Sequence, residues 1–197
     1  DYMHVIYRPP RFGGVYEFAD VQGDSTLEYF RQIVRLAHRN DTDLRLFISP
    51  CHAWQLEAIR CAGLWDEFES WKRSLVRILA EEAAAHNAKP CPLWDFFDYN
   101  SINCEPVPAL EDRDSRMRFY LESSHYTRET GRMVLDRLFG IPRTDGPPAD
   151  FGALLSPGNI EAHLVRQNLR GERYRNRFPV DAGTVEDIAN RRPSALP

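Results

Sequence analysis

The sequence predicts an α/β protein with helices layered against a parallel sheet, on three observations. Segments whose apolar residues recur at helical spacing alternate with short, nearly continuous apolar runs. Each run is followed by a proline or a polar loop, as strands buried on both faces are. The resulting order of helix, strand, helix, strand, loop and helix is the one that joins parallel strands through helical crossovers.

Residues 1–24 mix aromatics with Pro9-Pro10 and Gly13-Gly14, an extended lead-in with room for one short strand, Val15 to Phe18. From Ser25 onward Leu27, Phe30, Ile33, Val34 and Ala37 recur at helical spacing until Asn40-Asp41 ends the helix. Leu44 to Ser49 is a short apolar strand closed by Pro50. A second helix is expected over Ala53 to Ala62. After Gly63 a longer one runs from Trp65 to His86, with Phe68, Trp71, Leu75, Ile78 and Leu79 on one face and Pro90 beyond it. Leu93 to Phe97 is the next strand, and a polar loop follows through Asp114. A last helix spans Arg128 to Phe139 and stops at Gly140, with Pro142 beyond.

These elements define an α/β domain over residues 25–145. Only two strands are clear, fewer than a doubly wound sheet normally has, so the sheet is expected to be incomplete. After Pro147-Pro148 the composition turns polar and Arg-rich. Residues 146–197 are expected to form an irregular appendage, with one amphipathic stretch near Ile160 to Leu169, packing on the domain or on a partner.

The chain has 197 residues, 43% of them hydrophobic, enough for one principal domain with a substantial core. Its formal net charge of -4 supplies no global basic field, which argues against a sequence-independent hold on nucleic acid. No apolar run reaches the length of a bilayer span, and Asp1-Tyr-Met-His lacks the basic-then-apolar pattern of a signal peptide. A start without methionine leaves room for functional residues upstream. Cys51, Cys61, Cys91 and Cys104 lack the paired spacings of a zinc site and are too sparse for a disulfide scaffold. A Cys91 to Cys104 bridge stays open, and neither a metal nor a cofactor is expected.

Ligands of open α/β sheets gather beyond the carboxyl ends of the strands. His52, Asp98 and Asn100 follow the two strands and are the candidate substrate-binding residues, although each also suits a local turn or cap. His125 stands just before the last helix. Glu122, three residues earlier, is placed to accept the Nδ1 proton of its ring and leave Nε2 as a general base. Trp65, Phe68 and Trp71 read as core, and the run Arg170 to Arg177 as a solvated or partner-facing surface.

The segment Met117-Arg-Phe-Tyr-Leu-Glu-Ser-Ser-His-Tyr126, followed by Thr127 and Gly131, resembles the last block of the SGNH (GDSL-like) hydrolase and acyltransferase superfamily. In that block an acidic residue stands three positions before the catalytic histidine. Leu46-Phe-Ile-Ser-Pro50 with His52, and Trp94-Asp-Phe-Phe-Asp-Tyr-Asn100, are similar to strand ends in envelope-associated members related to the alginate O-acetylation proteins. The likeness covers residues 25–140. It implies the C-terminal half of a three-layer, SGNH/flavodoxin-like parallel sheet, with His125 and Glu122 as catalytic residues.

Two positions depart from that pattern. The acid is glutamate where the family has aspartate, and the family's nucleophilic serine follows a strand well ahead of residues 44–49. Gly23-Asp24-Ser25 superficially spells the nucleophile block, so Ser25 is the remaining candidate within the chain. Yet Ser25-Thr-Leu-Glu28 opens a helix as a capping box, and too little chain separates it from the next strand for the family's intervening blocks.

What the resemblance implies is an ester hydrolase or O-acyltransferase acting on a carbohydrate of the bacterial cell envelope or periplasm. The alternative is a catalytically inactive structural or binding subunit, held in a larger assembly through residues 1–24 and 146–197.

Overall fold

The fold was described in a computed structural model covering residues 6, 7, 18, 25–109, 111, 112 and 114–191. Among these residues six helices surround a three-stranded sheet. The 1–24 lead-in, with its expected strand, lies outside the described residues except at Ile6, Tyr7 and Phe18.

Helix α1 (Thr26–Arg39) begins where the sequence predicts. The Ser25 hydroxyl accepts the Glu28 N–H at 3.3 Å and satisfies one free donor of the first turn. Val34 and Ala37 are buried beneath it. Strand β1 (Leu46–Ile48) leads into α2 (Ala53–Cys61) and then α3 (Trp65–Ala85), which returns the chain to β2 (Leu93–Asp95). β1 and β2 run parallel, with Leu46 opposite Leu93 and Ile48 opposite Asp95.

β3 (Ala153–Leu155) was not foreseen, and it makes the sheet mixed rather than wholly parallel: it runs antiparallel to β2, Ala153 facing Asp95 and Leu155 facing Leu93. The reason lies in the loop after α4 (Arg128–Phe139). Arg132 donates to the carbonyl of Asp145, and Arg137 donates to those of Pro148 and Phe151, so the loop runs back along α4. The chain therefore re-enters the sheet at the carboxyl end of β2. Gly152 makes that entry with φ +90, and a Cβ there would lie 2.4 Å from the Phe96 ring.

Side chains alternate across the sheet. Ile48, Leu93 and Leu155 face one cluster with Val34, Leu56, Leu75 and Leu79 from α1, α2 and α3. Phe96, with Trp94 packed against it, belongs to a second cluster with Met133, Val134 and Leu138 of α4. The segment from residue 146 is more than the expected appendage. Leu155 of β3, Ile160, Leu164 and Tyr174 of α5 (Ile160–Arg177) and Ala182 of α6 (Pro179–Asn190) all join the first cluster.

α5 is fastened by a wholly buried polar network. Lys72 donates to Asp95 Oδ2 at 2.6 Å, to the Phe97 carbonyl at 3.0 Å and to Gln167 Oε1 at 3.1 Å. Its ammonium also lies 4.4 Å from the centre of the Phe68 ring. His163 Nε2 donates to the same Asp95 oxygen at 2.8 Å. Burial pushes the Asp95 carboxyl up, but the Lys72 charge and the His163 bond outweigh it and hold it below the usual carboxylate range.

A second polar clamp joins α1 to α3. Arg31 and Arg35 both donate to Glu82, and Arg31 also reaches Glu81. The bonds from Arg35, helped by Arg31, bring the Glu82 carboxyl down to about 2 despite the cost of desolvation. A depressed folded-state value stabilises the protein above the ordinary carboxylate range, and that contribution disappears as pH falls through the folded value. Glu82→Gln is therefore expected to lower Tm by about 3 °C at neutral pH. Melting curves of variant and parent should converge as pH approaches 2. A constant gap across that range would show that the charge is not what matters.

Neither Cys91 nor Cys104 is in a disulfide, so the bridge that the sequence left open between them is not formed. No helix among the described residues is long and apolar enough to cross a membrane.

Candidate functional site

The segment Tyr120 to Tyr126 is a tight loop. Tyr120 and Tyr126 form an antiparallel bridge, and the Leu121 N–H donates to the His125 carbonyl at 2.8 Å. The loop is docked on the start of α2: the His52 N–H donates to the Ser123 carbonyl at 2.9 Å, and Gln55 Nε2 to the Ser123 hydroxyl at 2.8 Å. Since His52 lies just past β1, these bonds hold Glu122 and His125 beside the carboxyl end of that strand.

Within the loop His125 Nδ1 donates to Glu122 Oε1 in a close pair. The Ser124 hydroxyl gives its proton to the same carboxylate oxygen at 2.6 Å and lies 3.0 Å from His125 Nδ1, so it also accepts a share of the ring proton. The Ser124 N–H donates to Glu122 Oε2 at 3.0 Å. Partial burial raises the Glu122 carboxyl, but the Ser124 bonds and the imidazole outweigh it and hold it below its usual range. Glu122 therefore remains a carboxylate wherever an imidazole titrates. The His125 side chain is 74% exposed, and among the described residues its Nε2 has no partner. With Nδ1 committed as donor, the neutral ring presents the Nε2 lone pair to solvent.

The other sequence-predicted residues are placed differently. His52 is buried and serves as the N-cap of α2: Nδ1 accepts the Trp54 N–H at 3.2 Å, and Nε2 donates to the Glu105 carbonyl at 2.8 Å. Burial depresses its basicity against the opposing pull of that carbonyl. Asn100 closes the turn after β2, its Oδ1 accepting the N–H groups of Ile102 and Asn103 at 3.0 and 2.9 Å. Asp98 accepts the Tyr99 N–H at 2.7 Å and a close bond from Arg170, and burial pushes its carboxyl up in spite of that guanidinium. Ser25 is the cap of α1. The structure thus brings together His125 and Glu122, while His52, Asp98 and Asn100 are occupied in bracing the loops around them.

Sequence reading missed Ser124 as the third member of the Glu122 group, although its position between acid and histidine was a signal. It also missed Asn103, which ties the braces together. Asn103 Nδ2 donates to the carbonyls of Phe96 and Asp98, and its Oδ1 accepts the Tyr120 hydroxyl at 2.6 Å. Cys51 borders the loop, but burial, with a smaller push from Glu122, raises its thiol to about 11, so it is not a thiolate at neutral pH. No cluster of metal-ligating side chains is present among the described residues.

Comparisons with protein-family models, with curated proteins and with solved structures gave no match.

Proposed function

We propose that the chain carries the acid and histidine of an SGNH-type ester hydrolase or O-acyltransferase, on the C-terminal half of a larger three-layer sheet, acting on a carbohydrate ester of the bacterial envelope or periplasm. The observation that carries this reading is the His125 ring, held through Nδ1 by the Glu122 carboxylate while Nε2 stays open to solvent beside a strand's carboxyl end. In the proposed reaction a serine hydroxyl from outside the described residues attacks the ester carbonyl as Nε2 takes its proton. The imidazolium, stabilised by Glu122, then gives that proton to the departing sugar oxygen. Water or a second hydroxyl completes the cycle by the reverse transfer.

Ser124 does not supply the nucleophile in this scheme, because its hydroxyl sits on the Nδ1 side and is spent on Glu122. His125→Ala in the full-length protein is expected to lower kcat/KM for p-nitrophenyl acetate by about 10³-fold or more without changing Tm. Unchanged hydrolysis in that variant sinks the enzyme reading.

A second reading, an inactive subunit of an assembly, is favoured by exposed apolar side chains on β1 and α4. Phe47 of β1, and Leu135 and Phe139 of α4, are all exposed. Phe47 and Leu135 line an open hollow of about 910 Å³ along with Tyr126 and Gly131. A stable, esterase-inactive complex in native mass measurements would favour this reading over the first.

A further inference from the structure

Beyond β2 lies a cavity of about 630 Å³, within the size range of small-molecule sites and separate from the His125 loop. Its floor is the turn after β2, and one wall is the last part of α5, where Arg170, Arg173 and Arg177 share a face at helical spacing. The run from Arg170 to Arg177 read in the sequence as a solvated or partner-facing surface, but its members have distinct fates. Arg175 turns inward to the buried Glu57 at 3.1 Å, and Arg170 is bonded to Asp98.

Arg173 and Arg177 have no carboxylate partner among the described residues, although two acids line the same cavity. Both acids accept hydrogen bonds from neutral groups rather than from these guanidiniums. Asp150 accepts the N–H and the hydroxyl of Ser101, each at 2.8 Å. Glu105 accepts the N–H groups of Arg118 and Phe119, also at 2.8 Å. Two guanidinium forks, each suited to grip a carboxylate or phosphate through paired N–H donors, are thus left facing a concave space.

Four rings, Tyr99, Phe119, Tyr174 and Phe178, also line the cavity, together with Cys104 and Pro106. The Arg177 guanidinium lies 5.3 Å from the centre of the Phe178 ring, so that cation is already seated on an aromatic face. We propose that this cavity binds a small molecule carrying a phosphate or carboxylate on a flat ring, with Arg173 and Arg177 holding the oxyanion and the aromatic side chains enclosing the ring. The site is independent of the reaction proposed for His125, and its test needs no esterase activity.

Isothermal titration of the full-length protein with phenyl phosphate and with benzoate, using inorganic phosphate as the ring-free control, tests the proposal. At least one ring-bearing probe should saturate at one per chain, more tightly than inorganic phosphate, and the tighter of the two names the head group. Both arginines are exposed, so the double variant Arg173→Ala with Arg177→Ala should keep the parent Tm while weakening that probe by about tenfold or more. Added salt should weaken binding to the parent and have much less effect on the variant. Failure of both ring probes to saturate, an affinity no better than that of inorganic phosphate, or an unchanged affinity in the double variant overturns the proposal.

Discussion

Lys72→Met is expected to destabilise the protein by about 4 kcal/mol, lowering Tm by roughly 10 °C. Methionine fills nearly the same space, so the loss does not come from packing. It comes from leaving the Asp95 carboxylate without its cation in a site that water does not reach. The Phe97 carbonyl and Gln167 Oε1 would each lose a donor as well. Asp95→Asn should cost a comparable amount for the opposite reason, a buried ammonium without a counter-charge. Replacing both partners by apolar residues of similar volume should recover much of the loss, because the pair's mutual attraction is set against the desolvation of two ions. Chemical denaturation of the three variants measures this. Losses that simply add in the double variant would mean that the two side chains act independently.

The second large effect concerns Glu122. Glu122→Gln is expected to reduce ester hydrolysis by about 10²-fold or more, within about tenfold of the loss expected on removing the imidazole itself. A glutamine offers either an oxygen or an NH₂ to Nδ1, and neither stabilises an imidazolium as a carboxylate does. Glu122→Asp should recover part of the activity, since the charge is kept and only the reach is shortened. Ser124→Ala removes one bond to the carboxylate and should cost about tenfold or less. Steady-state rates on p-nitrophenyl acetate rank the three. An outcome in which Ser124→Ala is the most damaging would contradict the assignment of Ser124 to a supporting position.

Helices α1 and α3 could be read from the sequence because their apolar residues recur at helical spacing, and α2 and α4 because glycine stop signals stood at or just beyond their ends. α1 is the clearest case, with Ser25 before it and Asn40 after. β3 was not legible. Three residues, Ala-Leu-Leu, carry no alternation, and their pairing depends on a loop path set by Arg132 and Arg137 from a distance in sequence. α5 was legible only to Leu169, because beyond it the buried face is only Gly171 and Tyr174, set among arginines that read as a solvated or partner-facing run. Lys72 did leave a trace: it shares a helical stripe with Phe68, Leu75 and Leu79, where a solvated lysine has no place.

At the candidate site a spacing of three was enough to join Glu122 to His125, since the loop between them is too short to separate the side chains. His52, Asp98 and Asn100 were harder to judge. Residue type and position beyond a strand describe a ligand-binding side chain and a turn or helix cap equally well, and only the bond directions distinguish them. For His52 both ring nitrogens turned out to be bonded to the main chain.

The inward anchoring of α5 bears on how the protein is made. Asp95 and Lys72 leave the ribosome well before His163 and Gln167 do, so a nascent chain that has reached only the end of α4 holds an unfinished polar cluster and a sheet lacking β3. Native structure in this domain has to wait until α5 has been translated, and a stop within α5 would yield a product fit for proteolysis rather than a smaller working domain.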